Sequence, residues 1–196
     1  MTLVKICGIT TLEDALAACD AGADALGFNF WPRSPRYIEP ARAAQIIERL
    51  PGDVLAVGVF VDAPAEAIEE TAAAAGVEIA QLHGGCGIPR LRWWKALEAG
   101  PEVRRQMEQF DAEAFLLDAP AGALRGGTGR SFDWRLAAGL PGRIVLAGGL
   151  GPDNVKEAIE TAQPWGVDAC SRLESAPGRK DAALVRAFVR AVRETG

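Results

Sequence analysis

The sequence predicts an α/β fold, a single-domain (β/α)8 barrel of the TIM-barrel class over residues 1–196. Three observations carry that reading. Short β-rich runs alternate with helical stretches along the whole chain. The runs number eight, enough to close a sheet on itself. Glycine-rich segments follow the last three, where barrel loops carry function. An open doubly wound sheet is the alternative for the same alternation. At 196 residues the chain is shorter than the ~250 typical of such barrels, so something must be trimmed.

The first run, 3–6, lies in "VKICGIT" and stops before Gly8. Thr10 signals a helix over 11–21, ended by Gly22. Run 25–28 leads into the long loop "NFWPRSPRYI", after which Glu39-Pro40 opens a helix over 40–50. Run 55–61 is followed by a helix over 64–75, started at Ala63-Pro64 and stopped by Gly76. After run 79–82 comes only "HGGCGIPRL", too rich in glycine and proline for a full helix. The fourth helix is therefore predicted lost or shortened to about one turn. Runs 92–97, 114–117, 144–147 and 167–169 complete the set, with helices over 102–110, 134–138, 152–161 and 181–192.

Composition narrows the function. Forty-nine per cent hydrophobic and 24% charged residues are ordinary for a globular chain. A net charge of −5 argues against nucleic acid or an anionic membrane surface. A small phosphorylated substrate stays open, because a local cluster can oppose the global sign. No apolar run approaches the ~18 residues of a membrane span, and no signal peptide is read at the start. Four cysteines without C-x-x-C spacing and one histidine predict no metal site. Free thiols fit a reducing, cytoplasmic location.

In a barrel, chemistry sits at the carboxyl ends of strands. "RGGTGRSFDW" contributes Gly126, Gly127 and Gly129; "AGGLGPDN" contributes Gly148 and Gly149; "ACSRLESAPG" contributes Ser171 and Arg172. Three such loops on consecutive strands predict an anion site, since glycine lets backbone N–H groups approach a phosphate. Arg36, beside Phe30 and Trp31, can grip a carboxylate with two hydrogen bonds or lie in solvent. Asp118 in "FLLDAP" is a proton donor if burial raises its pKa, or a turn cap. Cys7 is a ligand-facing thiol or a small core hydrophobe. Strand alternation puts Lys5 on the face of Cys7, and Asp168 is the candidate partner for an internal ion pair. His83 stays open between a hydrogen-bonded structural residue and a catalyst.

Together these positions resemble the phosphoribosylanthranilate isomerase family. The motifs in order are "VKICGIT", "GADALGFNFWPRSPRYI", "VGVFVD", "QLHG", "LLDAP…GGTGRSFDW", "LAGGLGPDNV" and "GVDACSRLESAPGRKD". The resemblance implies a cofactor-free Amadori rearrangement, with Cys7 as general base, Asp118 as general acid and Arg36 on the anthranilate carboxylate. It also implies phosphate binding by the three glycine loops. The segment that usually reads "DVSSGVE" here reads "DACSRLE", so Cys170 stands for a serine and Arg172 for a glycine. If that glycine had positive φ, arginine there would strain the loop by about 1 kcal/mol. If not, the guanidinium is free to add a phosphate contact.

Two other readings compete. Lys5 or Lys95 could be a Schiff-base lysine of an aldolase, or the barrel could bind a phospho-ligand without turnover. The oligomer is expected to be monomer or homodimer. "LRWWKAL" puts two tryptophans beside the trimmed layer, as core or as partner contact.

Overall fold

Side chains alternate along a strand, so a barrel strand needs one face for the interior and one for the helices. The computed structural model, which describes residues 1–120 and 131–195, has that form. Eight parallel strands close in chain order: β1 (Leu3–Cys7), β2 (Ala25–Asn29), β3 (Leu55–Val61), β4 (Ile79–His83), β5 (Arg92–Glu98), β6 (Ala114–Asp118), β7 (Ile144–Leu146) and β8 (Gly166–Ala169). Closure leaves the barrel itself without a sheet edge.

The interior is layered. Ala25, Val57, Ile79, Trp94, Ala114 and Val145 fill its lower half. Trp94, fully buried, meets Trp165 edge-on at 5.9 Å between centroids. Two residues further along several strands the interior turns polar: Lys5 above Leu3, Gln81 above Ile79, Asp118 above Leu116. The upper end is thus built for chemistry and the lower end for packing. Lys95 pairs in register with Leu82 and Phe115 and lies outside the barrel wall, its Nζ donating to the Gly84 carbonyl at 2.7 Å.

Helices α1 (Leu12–Asp20), α2 (Pro40–Ile47), α3 (Ala65–Ala75), α4 (Val103–Met107), α5 (Val155–Ala162) and α6 (Ala182–Arg193) cover the outer face. They bury Ile46, Ile68, Val155 and Phe188 against it. No helix lies between β4 and β5. Backbone groups of this connection bond outward instead: Gly87 N–H to Ala63 O at 2.9 Å, Gly85 N–H to Asp62 Oδ1 and Arg90 N–H to Glu69 Oε1, both at 2.8 Å. The Cys86 thiol donates to His83 O at 3.1 Å. The connection is satisfied without a helix, which is why it can be so short.

Several boundaries differ from the sequence reading. Thr11, not Thr10, caps α1, its hydroxyl accepting from Asp14 N–H at 3.2 Å. α3 starts one residue after Pro64. The stretch 134–138 forms only a 3-10 turn, Trp134–Leu136, capped by Asp133. α5 begins at Val155, because Gly151 N–H donates to Asn154 Oδ1 at 2.8 Å and holds a turn ahead of it. Trp94 belongs to the core and Trp93 stands edge-on to Phe110. No helix is long and apolar enough to cross a membrane among the described residues.

Candidate active site

A cavity of about 410 Å³ opens at the carboxyl end of the barrel, and Cys7, Arg36, Gln81, His83, Asp118 and Asp168 all line it. β1 and β6 thus bring the thiol and the carboxyl to a single space. Gly8 explains why β1 ends at Cys7. It turns in the left-handed region at φ +77°, and a Cβ there would stand 2.7 Å from Arg36 Cδ and 2.9 Å from Cys170 Sγ. The turn therefore seats both neighbours against the strand end.

The Cys7 thiol is drawn down to about 7. A hydrogen bond with the Cys170 thiol is the main cause, burial opposes it, and the Lys5 ammonium adds to it. Lys5 is completely buried and pairs with Asp168 Oδ1 at 2.7 Å. Burial alone would lower Lys5, but the charges of Asp168 and Cys7 outweigh it and hold Lys5 above its ordinary value. Lys5 is thus a fixed cation under Cys7, as strand alternation predicts.

Asp118 moves the opposite way, up to about 6. Burial is the first cause and repulsion from Asp168 the second; the Ala119 N–H donating to Oδ1 at 2.8 Å works against both. Gly148 (φ +79°) allows this seat, since a Cβ there would lie 2.8 Å from Asp118 Oδ1 and 2.7 Å from Ala119 N.

Arg36 is held by Glu174. Nε and Nη2 donate to its two carboxylate oxygens, both at 2.8 Å. One edge of the guanidinium is so used; Nη1 has no partner among the described residues, and the Nη1/Nη2 edge is available to a second carboxylate. Lys180, buried, donates to Glu174 Oε1 at 2.9 Å and to Cys170 O at 3.2 Å.

Gly148, Gly149, Ser171, Cys170 and Asp118 line a small recess beside the main cavity. The backbone N–H groups of Gly148, Gly149, Ser171 and Arg172 donate no hydrogen bond among the described residues. Arg172 has no positive φ, so the strain considered for it is absent. Its guanidinium leaves the recess, donating to Gly149 O at 3.1 Å and pairing with Asp153 at 2.9 Å. Gly126, Gly127 and Gly129 lie outside the described residues.

Sequence reasoning missed three residues. Glu174 and Lys180 come from the segment after β8 and become visible only as partners of Arg36. Gln81 was legible from alternation, two residues before His83. It is 2% exposed, its amide N–H donates to His83 Nε2 at 2.8 Å, and Oε1 has no partner among the described residues. That contact holds the His83 imidazole against Gln81. No group of three or more metal-ligating side chains occurs among the described residues.

Comparison with known proteins gives one family. Residues 4–191 match the family described as N-(5'phosphoribosyl)anthranilate (PRA) isomerase. A relative of that name from Geobacter sp. (strain M21) is 52% identical over 197 residues, covering 96% of this chain and 97% of the relative. The crystal structure of phosphoribosyl anthranilate isomerase from Thermotoga maritima superposes with a TM-score of 0.89 at 36% identity, covering 99% of this chain and 100% of that one. A solved complex of a phosphoribosyl anthranilate isomerase with reduced 1-(o-carboxyphenylamino)-1-deoxyribulose 5-phosphate superposes at 0.86, again with 36% identity and 99% and 100% coverage.

Proposed function

The chain belongs to the N-(5′-phosphoribosyl)anthranilate isomerase family, and we propose that Cys7 and Asp118 are the base and acid of its reaction. That reaction is the Amadori rearrangement of N-(5′-phosphoribosyl)anthranilate to 1-(2-carboxyphenylamino)-1-deoxyribulose 5-phosphate, a step of tryptophan biosynthesis. One observation carries the assignment: a thiol drawn down and a carboxyl pushed up face the same cavity. Two groups displaced toward each other in this way are an acid–base pair usable near neutrality.

Asp118 in its acid form protonates the furanose ring oxygen. The C1′–O bond breaks as the anthranilate nitrogen donates its lone pair, giving an iminium. The iminium acidifies C2′–H, and the Cys7 thiolate removes that proton to give an enolamine, which tautomerises to the ketone. Lys5 keeps negative charge on Cys7 favourable throughout. Arg36 holds the anthranilate carboxylate on its Nη1/Nη2 edge, and the N–H groups of Gly148, Gly149, Ser171 and Arg172 take the phosphate. Gripping both ends fixes the ribose between thiol and carboxyl. Gln81 Oε1 accepts a ribose hydroxyl. Four free cysteines support a cytoplasmic location, and the one closed barrel supports a single domain.

The reading is tested by following the fluorescence of freshly made phosphoribosylanthranilate with purified protein; no loss of signal above buffer overturns it. Run across pH, the same assay reports the pair. Thiolate is lost as pH falls through about 7 and carboxylic acid as pH rises through about 6. The two losses offset between those values. kcat/KM is therefore expected to peak between pH 6 and 7 and to fall about tenfold per unit outside.

Arg36→Met is expected to raise KM roughly a hundredfold with a smaller change in kcat. A charge-assisted bidentate contact at about 3 kcal/mol sets that size. Glu174 keeps Lys180 as partner, so the variant should still fold. A KM near wild type would remove Arg36 from substrate binding.

A further inference from the structure

We propose that Cys7 and Cys170 form a peroxide-oxidisable thiol pair, in which a disulfide across β1 and β8 reversibly blocks the active site. That blocking rests on the reading of Cys7 as the base; bond formation does not.

The placement is geometric. β1 and β8 pair in register, Lys5 with Asp168 and Ile6 with Ala169. One step further sets Cys7 across from Cys170, and both sulfurs crowd the end of β1: a Cβ on Gly8 would stand 2.9 Å from Cys170 Sγ and one on Gly27 2.7 Å from Cys7 Sγ. Neighbouring strands hold facing Cα atoms about 5 Å apart, inside the roughly 4.4–6.8 Å window of a disulfide. Both residues line the cavity, which gives a small hydroperoxide a path to the pair. Cations flank the pair: Lys5 beneath Cys7, and Lys180 Nζ 3.8 Å from Cys170 Sγ. At Cys7 this favours thiolate, the reactive form, while the neighbouring Cys7 and burial keep Cys170 a thiol.

The chemistry balances with a hydroperoxide as oxidant. The Cys7 thiolate attacks the distal peroxide oxygen; the O–O bond breaks, an alcohol or water leaves, and Cys7 becomes a sulfenic acid. The Cys170 thiol displaces the sulfenic oxygen as water and forms the S–S bond. Two electrons pass from the thiols to the peroxide, and a dithiol reverses the bond by exchange.

The test treats the full chain with near-stoichiometric hydrogen peroxide. Titratable thiols should fall from four to two, non-reducing peptide mapping should find Cys7 linked to Cys170, and turnover should drop roughly tenfold or more and return with dithiothreitol. Cys170→Ser, measured against its own reduced activity, should give no linked peptide and leave Cys7 as a sulfenic acid that dimedone traps, whereas the parent should give little dimedone adduct. A map without the Cys7–Cys170 link, or dimedone labelling of Cys7 in the parent equal to that in Cys170→Ser, overturns the pair. A linked map with undiminished turnover overturns the blocking and removes Cys7 from catalysis, while leaving the bond itself established.

Discussion

Asp118→Asn is expected to lower kcat a hundredfold or more while leaving KM near wild type. An amide cannot deliver a proton to the ring oxygen, and a positioned acid supplies typically ~10²–10⁴-fold. The amide oxygen can still accept from Ala119 N–H, and the side chain has the same shape, so binding should survive. The same substitution should stabilise the protein. The folded state lifts Asp118 from its ordinary 3.8 to about 6. Below the lower value both folded and unfolded chains carry it protonated, and nothing differs. Above the upper value the folded chain holds a buried charge that the unfolded chain holds in water. Each unit of displacement is ~1.4 kcal/mol, so the cost approaches about 3 kcal/mol above pH 6. Asn removes it. Denaturant unfolding of both chains at pH 8 and at pH 3.5 should show a gain of about 1–3 kcal/mol at the higher pH only. A stable variant with impaired turnover is the signature of a strained acid; undiminished kcat ends the assignment.

The barrel was legible because its rule is local. Apolar runs, glycine stops and proline starts each sit within a few residues of the element they define, and the missing helix after β4 was visible as a stretch that could not hold one. What local reading misjudged were the strand ends. It stopped runs at Phe28, Leu82, Leu97 and Leu117, one residue short. The strands continue through Asn29, His83, Glu98 and Asp118. At a barrel's carboxyl end the polar residue is still in the ladder, and that fixes where its side chain points. The stretch 134–138 failed differently: five residues with a good cap make one 3-10 turn, too short to repay helix nucleation.

The site was half legible. Cys7, Arg36 and Asp118 stood out as polar groups at strand ends, and Lys5–Asp168 followed from alternation. Glu174 did not, because its role depends on Arg36, a residue distant in sequence. Arg172 shows the opposite: an arginine in a phosphate loop invites a phosphate contact, yet Asp153 takes its guanidinium. A charge is read from sequence; its partner is read from space.

Cys7→Ser is expected to cost kcat a hundredfold or more, by a different route from Asp118. The thiol is drawn to about 7 by Cys170 and Lys5, so much of it is thiolate at neutral pH. A serine hydroxyl in the same place, even beside the same Lys5, stays protonated and has no lone pair basic enough for C2′–H. The volume change is small and Gly27 already leaves space there, a Cβ on it standing 2.7 Å from Cys7 Sγ. Folding and KM should therefore hold. The decisive readout is the shape of the pH profile. Loss of thiolate sets the low-pH limb, so that limb should vanish in Cys7→Ser and the residual rate should depend on Asp118 alone. The same experiment separates the aldolase reading. A nucleophilic Lys5 must lose its proton, and Asp168 at 2.7 Å keeps it on. Borohydride with substrate should trap no adduct in either form of the protein. If Cys7→Ser kept both its rate and its low-pH limb, the proton at C2′ would have to leave to some other base in this cavity.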